Sequence, residues 1–293
     1  MRIKSLIIFL GLIITLIISY IYITPLERGG IEVDPVKIRT QAPKEEMSIP
    51  RPKRSTYPDR ISLRHVEEKA ALQVNRQINP DDFTGKNILA LGDSLTEGIG
   101  DIFTSGGFIS ALDQAINEHE KVASFQNYGK LGIQTSHLLK QVQRQHVKEA
   151  IKLADLIIIA IGANDIIKVF RDHFPELSLE VFTDEQVHYE ERLFHSLKDI
   201  ERINPHTEIY FIGLYNPFEH FTIEIPELDD IIKDWNEGSQ SVTSLFEQVT
   251  FVPIMDVFSG QYNLFSEDQF HPSRLGYVKI AERIIDFITK EGD

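Results

Sequence analysis

One serine in this sequence stands where its side chain could act as a nucleophile. Ser94 follows an apolar run that ends at Leu91, in the stretch GDSLTEG. The small residue Gly92 lets the chain turn sharply here, and the backbone N–H of Ser94 then belongs to the N-terminus of a helix. The same residue can therefore offer a nucleophile and a hydrogen-bond donor for an oxyanion. The alternative is that Asp93 or Ser94 only caps a helix.

A base for this serine is available near the C-terminus, where Asp268 and His271 lie in the stretch DQFHP. In a tight turn the carboxylate can hold the imidazole in one tautomer and stabilise its cation. The ordinary pKa of an imidazole is about 6.5, so this side chain can take a proton from Ser94 and return it to a leaving group. A surface loop with an incidental histidine is the alternative, although no other Asp-x-x-His spacing occurs in the chain.

Two other stretches carry groups that could hold an oxyanion. The side-chain amide of Asn164, in the stretch GAND, could donate a hydrogen bond to an oxyanion, or it could form a turn or cap the next helix. Gly129 and Gly132 allow another group to approach the backbone closely, and either could supply a free N–H. An ordinary strand-to-helix loop would explain these glycines equally well.

The elements that must position these groups alternate regularly after Lys86. Short apolar runs alternate with amphipathic helical patterns, which is typical of βαβ units and of a parallel sheet buried on both faces. The sequence therefore predicts an α/β fold: a doubly wound parallel sheet of about five strands with helices on both faces. Ligand sites in such sheets lie at the carboxyl ends of the strands. The predicted strands are 88–91, 123–128, 156–161, 209–214 and 251–254, and the predicted helices are 108–117, 136–153, 185–203, 228–246 and 275–288.

The N-terminus carries a separate signal. Residues 5–26 contain no charged side chain and are mostly Leu and Ile, which is enough apolar length to cross a bilayer as a helix. Arg2 and Lys4 precede this stretch, so the positive-inside rule keeps the N-terminus in the cytoplasm and sends the rest of the chain outside. A cleaved signal peptide is the alternative, but residues 20–25 show no small-x-small cleavage pattern. The sequence therefore predicts an uncleaved membrane anchor at 1–26.

The remaining chain divides into a tether and a folded domain. The predicted tether spans residues 27–85. Residues 27–57 are rich in Pro and charged side chains and poor in large apolar ones, and residues 61–78 have the spacing of a stalk or packed helix. Residues 86–293 form the predicted domain and carry 17 of the 30 basic and 34 of the 44 acidic residues, a formal charge of −17. A domain this acidic repels phosphate backbones, which disfavours a nucleic-acid partner.

Taken together, the stretches GDSLTEG, GAND and DQFHP resemble the SGNH hydrolase superfamily, the GDSL-type lipases and acylhydrolases, over about residues 86–290. The resemblance implies the flavodoxin-like SGNH fold. It also implies that Ser94 is the nucleophile, His271 the base and Asp268 the group that orients this base. The Ser94 N–H, the Gly132 N–H and the Asn164 amide would form the oxyanion hole. Gly132 fits the glycine block best by its distance from the following helix, and Gly129 stays an alternative.

This resemblance predicts a serine esterase that hydrolyses carboxylic esters through an acyl-enzyme and needs no cofactor. The chain has no Cys and no His-Glu-x-x-His spacing, so neither a thiol nucleophile nor a zinc site of that type is expected. The expected partners are the membrane, through residues 5–26, and a small-molecule or lipid ester outside the cell or in its envelope. A non-catalytic, membrane-tethered binding module on a hydrolase fold is the alternative.

The substrate is less defined by the sequence. Residues 170–186, 216–228 and 258–270 follow predicted strands, so they would line the rim of the site, and they are rich in aromatics. These aromatics suit an apolar acyl chain, although local packing explains them equally well. Lys168 and Arg171 could meet an anionic head group or simply face solvent. The aromatic residues are Phe170, Phe174, Phe182, Phe218, Phe221, Phe258, Tyr262 and Phe265.

Overall fold

A computed structural model describes residues 74, 78–104, 106–173, 176–219 and 226–290. The predicted membrane anchor at 5–26 and most of the predicted tether lie outside the described residues. Within the part of the chain that the structure covers, no helix has both the length and the apolar character needed to cross a membrane.

The centre of the fold is a five-stranded sheet in which every neighbouring pair of strands is parallel. Its spatial order is β2-β1-β3-β4-β5, so the prediction of an α/β fold with a parallel sheet of about five strands is confirmed. β1 lies between β2 and β3, and the chain reverses its direction of winding there, which is where ligand sites form in such sheets. The strands are β1 Asn87–Gly92, β2 Ser124–Gly129, β3 Leu156–Ala160, β4 Glu208–Ile212 and β5 Val249–Val252.

Helices follow the strands along the described chain. The longest is a 25-residue helix that packs over the sheet after β3, and short 3₁₀ turns lie at Pro80–Phe83 and Tyr262–Leu264. The α-helices are α1 Ser94–Glu97, α2 Gly107–Ile116, α3 Thr135–Gln141, α4 Gln145–Leu153, α5 Ala163–His173, α6 Leu179–Ile203, α7 Pro226–Thr243, α8 Met255–Phe258 and α9 Arg274–Lys290.

Two apolar cores lie on opposite faces of the sheet because successive strand residues point to opposite sides. Leu89 and Leu91 of β1 belong to the core formed with α3 to α7. Ile88 and Ala90 belong to the second core, formed with α2 and α9. β3 is buried along its whole length, as expected for the middle strand of a sheet covered on both faces. Burial of both faces explains why β1, β3 and β4 are nearly continuous apolar runs. The edge strand β2 is partly exposed and includes Gln126 and Asn127.

Several elements differ from the prediction. α5 was not predicted as a helix, α6 begins at Leu179 rather than at residue 185, and β5 ends at Val252 rather than at residue 254. The pattern at 136–153 forms two helices, because the backbone of Arg144 is extended and starts α4 after α3 has ended at Gln141. Phe83 lies in the predicted tether, yet its side chain is completely buried in the second core. Val74 and Ile78 also pack against this core, so packed residues extend to the N-terminal side of residue 86.

Candidate active site

Ser94 is placed by the sharp turn between β1 and α1. Gly92 has a φ of 147°, and a β carbon there would overlap the carbonyl oxygen of Ala160 on the neighbouring strand, so only glycine fits. Asp93 caps α1, with its Oδ1 accepting a hydrogen bond of 3.0 Å from the N–H of Leu95. Ser94 is the first residue of the helix and is itself buried.

The structure brings Ser94, His271 and Asp268 into one line of hydrogen-bond contacts. His271 Nε2 lies 3.0 Å from Ser94 Oγ, although 177 positions separate the two residues in sequence. On the other side of the ring, His271 Nδ1 lies 2.6 Å from Asp268 Oδ2. The imidazole is 2% exposed, so water competes little with either contact. With Nδ1 protonated towards the carboxylate, Nε2 has its lone pair directed at the serine hydroxyl.

A tight turn fixes the carboxylate of Asp268. Its Oδ1 accepts hydrogen bonds from the backbone N–H groups of Phe270 and His271, both at 2.9 Å, and from the hydroxyl of Ser266 at 2.7 Å. Burial alone would raise the pKa of Asp268, but the hydrogen bond and charge of His271 together with these N–H donors lower it to about 2. This carboxylate is therefore ionised throughout the neutral range.

The three N–H groups expected to form the oxyanion hole differ in the acceptors that they contact. Within the residues that the structure describes, the backbone N–H groups of Ser94 and Gly132 donate no hydrogen bond. The side-chain nitrogen of Asn164 lies 3.0 Å from the carbonyl oxygen of Ile133 and 3.4 Å from Asp93 Oδ2. The backbone N–H groups are therefore available to a ligand, and the longer Asn164 contact is weak.

The alternative glycine has its N–H occupied. The backbone N–H of Gly129 donates to Oδ1 of Asn127 at 2.8 Å. A β carbon at Gly129 would overlap the backbone between Thr96 and Glu97, so this glycine allows β2 to pack closely on α1. Gly132 instead has a φ of 77° in the loop before α3. The geometry therefore favours Gly132 over Gly129 as an oxyanion donor.

The loop that carries Gly132 is tied to the elements on both sides. The N–H of Leu131 donates to Oε2 of Glu97, at the end of the helix that starts with Ser94. The side-chain amide of Gln134 donates to the carbonyl oxygen of Asn164 at 3.2 Å. These bonds connect the loop to both the nucleophile helix and the start of α5.

A second buried carboxyl lies beside Ser94. Asp93 is 3% exposed, and burial, with a smaller contribution from the charge of Asp165, raises its pKa to about 7 despite hydrogen bonds from the Leu95 N–H and Asn164. The sequence offered Asp93 only as a helix cap. Its unusual proton affinity arises from its depth in the fold, which no local pattern reveals.

Most of the predicted rim residues have structural contacts of their own. Phe170 and Phe182 pack edge to face in the first core, and Phe258 and Phe265 are buried in the second. Phe218 is half-buried and packs on Phe270, whose ring centroid lies 5.0 Å from that of His271. Tyr262 is exposed, and Phe174 and Phe221 lie outside the described residues.

The two cations after Asn164 have a partner. Lys168 and Arg171 both pair with Asp172 on the surface of α5, at 3.1 Å and 2.9 Å respectively. These pairs favour a role in solvating the helix over recognition of an anionic head group.

Some residues that support the site carry no recognisable motif. Arg274 is 1% exposed and its Nη1 lies 3.1 Å from Oδ2 of Asp101, in the loop after α1. Gly100 of this loop packs against His271, and the hydroxyl of Tyr277 donates to the carbonyl oxygen of Ile99 at 2.6 Å. An arginine and a tyrosine in an amphipathic helix give no sequence signal for this arrangement, because the contact depends on the tertiary fold.

Comparisons with known proteins agree with one another over this domain. The model of the GDSL-like lipase/acylhydrolase family matches residues 90–279. The uncharacterized protein YpmR of Bacillus subtilis is 33% identical over 210 residues, which cover 70% of this chain and 82% of YpmR. The spore germination lipase LipC of Bacillus licheniformis is 29% identical, covering 67% of this chain and 92% of LipC. The crystal structure of the lipase Lip_vut3 from a goat rumen metagenome is 27% identical, with a TM-score of 0.61, over 68% of this chain and 95% of that lipase.

Proposed function

Because this chain belongs to the GDSL-like lipase/acylhydrolase family and is a carboxylic ester hydrolase, we propose that Ser94 is its nucleophile, His271 its general base and Asp268 the group that orients His271. The observation that carries this proposal is the unbroken line of contacts from Asp268 through His271 to Ser94. The partly buried carboxylate of Asp268, whose pKa is lowered, stabilises the imidazolium that forms when the base takes a proton.

The proposed reaction has two half-reactions. Ser94 Oγ attacks the carbonyl carbon of the ester while His271 Nε2 takes the hydroxyl proton, and a tetrahedral oxyanion forms. The intermediate collapses, the C–O bond to the alcohol breaks, and His271 returns the proton to the departing alkoxide. Water then attacks the acyl-enzyme by the same route, releasing the carboxylic acid and restoring Ser94.

We assign the oxyanion hole to the Ser94 N–H, the Gly132 N–H and the Asn164 side-chain amide. Two of these donors have no competing acceptor among the described residues, and the third makes its longer contact with Asp93. The Asn164 hydrogen that makes this weak contact with Asp93 is the one available to the developing negative charge. Donors already fixed in a buried site stabilise such a charge without further reorganisation.

The proposed substrate is a lipid ester or an acylated ester of the cell envelope, reached from the outer side of a membrane. Residues 5–26 support this location by their apolar length and by the basic residues that precede them. Two of the similar proteins are described as lipases. The aromatic pair of Phe218 and Phe270 beside His271 would also suit an apolar acyl chain.

Hydrolysis of p-nitrophenyl esters tests the assignment of the nucleophile. We expect Ser94→Ala to abolish turnover, because no other hydroxyl contacts His271 among the described residues. Asn164→Ala should lower kcat by about 10²–10³-fold if its amide donates one oxyanion hydrogen bond. Ser241→Ala is the matched control, since this exposed serine bonds only the backbone of its own helix. Wild-type turnover by Ser94→Ala would contradict the assignment.

Acyl length and location are tested separately. An apolar acyl site predicts that kcat/KM rises from acetate to octanoate esters in the wild type; a preference for acetate would instead favour an acetylated envelope sugar.

Protease treatment of intact cells should cleave the domain if it lies outside the membrane. Protection of the domain until the cells are lysed would contradict the proposed location.

A further inference from the structure

The two proposed oxyanion donors that follow β2 and β3 come from separate segments of the chain. Gly132 lies in the loop before α3, and Asn164 lies in the first turn of α5. The Asn164 amide donates to the carbonyl oxygen of Ile133, and Gln134 donates back to the carbonyl oxygen of Asn164. The positions of both donors therefore depend on how firmly this loop is held against the start of α5.

Thr135 and Asp165, which directly follow Gln134 and Asn164, connect the two segments more strongly. Thr135 follows the loop and donates to the carboxylate of Asp165 twice, from its backbone N–H to Oδ2 at 3.0 Å and from its hydroxyl to Oδ1 at 2.7 Å. Asp165 follows Asn164 directly and is 1% exposed. A charged acceptor makes these bonds stronger than bonds between neutral groups. The connection thus lies one residue from Asn164 and three from Gly132 in sequence.

A buried carboxylate needs a compensating charge, and α6 supplies it. Arg192 Nη2 lies 3.1 Å from Asp165 Oδ1, and Arg192 Nε donates to the hydroxyl of Thr135 at 2.8 Å. Glu185 Oε1 lies 2.6 Å from the same Nη2, and the side chain of Glu185 is more exposed than that of Asp165. Burial raises the pKa of Asp165, while the bonds from Thr135 and the charge of Arg192 oppose that rise.

We propose that Arg192 is a positioning residue for the oxyanion hole, which acts through Asp165 and Thr135 to hold Gly132 and Asn164 in one arrangement. This inference rests on the proposed function of Ser94. Arg192 does not reach the reacting atoms, and it belongs to none of the stretches that carry the resemblance to esterases. Its planar guanidinium binds the threonine and the aspartate at once, which a point charge cannot reproduce.

The expected effect is on kcat. A displacement of about 1 Å in a group that positions the reaction can cost about 10²-fold in rate. Arg192→Met keeps most of the side-chain volume but leaves the carboxylate without its cation, so we expect kcat to fall by about tenfold or more with KM within about twofold of wild type. Lys198→Met is the matched control, because it removes an ion pair with Glu201 on the same helix, at its surface.

The Asn164→Ala background separates positioning from general destabilisation. If Arg192 acts by placing the donors, Arg192→Met should cost less in kcat in the Asn164→Ala background than in the wild type, because one of the two donors that it positions is already absent. A loss of equal size in both backgrounds would overturn the proposal. Should Arg192→Met fail to fold, Arg192→Lys decides, since it keeps the charge next to Asp165 but loses the fork. We then expect a kcat loss of at least about threefold, and wild-type kcat would overturn the proposal.

The experiment uses the purified full chain and p-nitrophenyl butyrate, with unfolding monitored by circular dichroism. Inactivity of both the wild type and Lys198→Met would contradict the proposed function itself. An active wild type together with an Arg192→Met variant of unchanged kcat would contradict only the positioning role. A change confined to KM would also overturn it, because a misplaced oxyanion hole acts on the transition state.

Discussion

At the scale of single residues, the most unusual environment is that of Asp93. Its carboxyl caps the helix that begins with Ser94, yet burial raises its pKa to about 7 from an ordinary value of 3.8. A raised pKa means that the folded protein binds this proton more tightly than the unfolded chain does. The contribution of Asp93 to stability is therefore most favourable below about pH 4, falls as the pH rises towards 7, and stays low above that value.

Replacing Asp93 with Asn tests this conclusion, because Asn keeps an oxygen for the helix cap and never ionises. At pH 8 we expect Asp93→Asn to unfold at a higher urea concentration than the wild type. The gain in the free energy of unfolding is up to about 4 kcal/mol for a pKa raised by about three units. Near pH 4 the two should unfold alike. Asp230→Asn is the exposed control and should show no such dependence. An Asp93→Asn variant less stable than the wild type at pH 8 would contradict the role given to burial.

The proposed active-site residues could be selected from the sequence because their types, their spacing and, for Ser94 and Asn164, their place just after a strand carry information. Ser94, Asn164, Asp268 and His271 were all identified from short stretches of sequence. Arg192 could not be found in this way, because an arginine on a long helix is ordinary until the fold brings it to a buried carboxylate. The choice between Gly129 and Gly132 likewise needed the backbone hydrogen bond that occupies Gly129.

At the scale of elements, the turn that carries the proposed base includes one strained position. Gln269 lies between Asp268 and His271 with a φ of 59°, in the left-handed region. The turn is closed by a hydrogen bond of 2.8 Å from the N–H of Ser266 to the carbonyl oxygen of His271. This backbone allows Asp268 to accept from two N–H groups while it also contacts the imidazole.

Two substitutions at this position should have opposite consequences. Gln269→Gly removes the steric cost of the left-handed backbone, so we expect kcat close to wild type and a midpoint of thermal unfolding at least as high. Gln269→Val places a β-branched side chain there and should lower stability by about 1–2 kcal/mol, with a loss of kcat as the turn shifts. Equal midpoints for the two variants would show that the turn is not strained in this way.

The inner strands were the easiest elements to predict, because burial on both faces makes β1, β3 and β4 short, nearly continuous apolar runs. The break between α3 and α4 was not predictable, since neither Gly nor Pro marks it. Val142 is completely buried at the end of α3, and the chain turns after it so that Val147 and Ile151 pack on the same core. Tertiary packing therefore overrides a continuous helical pattern here.

At the scale of the whole molecule, the packed domain includes residues before its first strand. Phe83 is completely buried with Phe108 and Ile284, which come from α2 and α9. The sequence analysis placed Phe83 in the tether because the regular alternation of strands and helices begins only after Lys86. One large aromatic side chain in such surroundings gives too little periodicity to indicate a packed segment.

Replacing Phe83 with Ala measures how much the segment before β1 contributes to the free energy of unfolding. We expect Phe83→Ala to lower the free energy of unfolding by about 3–5 kcal/mol, as for other buried phenylalanines, while kcat at a temperature where the protein stays folded remains near wild type. Thr84→Ala, an exposed change in the same segment, should have little effect. A Phe83→Ala variant as stable as the wild type would place the segment outside the cooperative unit.

The identity of the residue that reacts is the most direct test of the account. The full chain is incubated with a fluorophosphonate, and the modified peptide is identified by mass spectrometry, alongside Ser94→Ala and His271→Ala. The account predicts a single adduct on Ser94 that forms as activity is lost, no adduct in Ser94→Ala, and slow labelling in His271→Ala. Loss of activity with the adduct on another residue, or full activity with Ser94 modified, would contradict it.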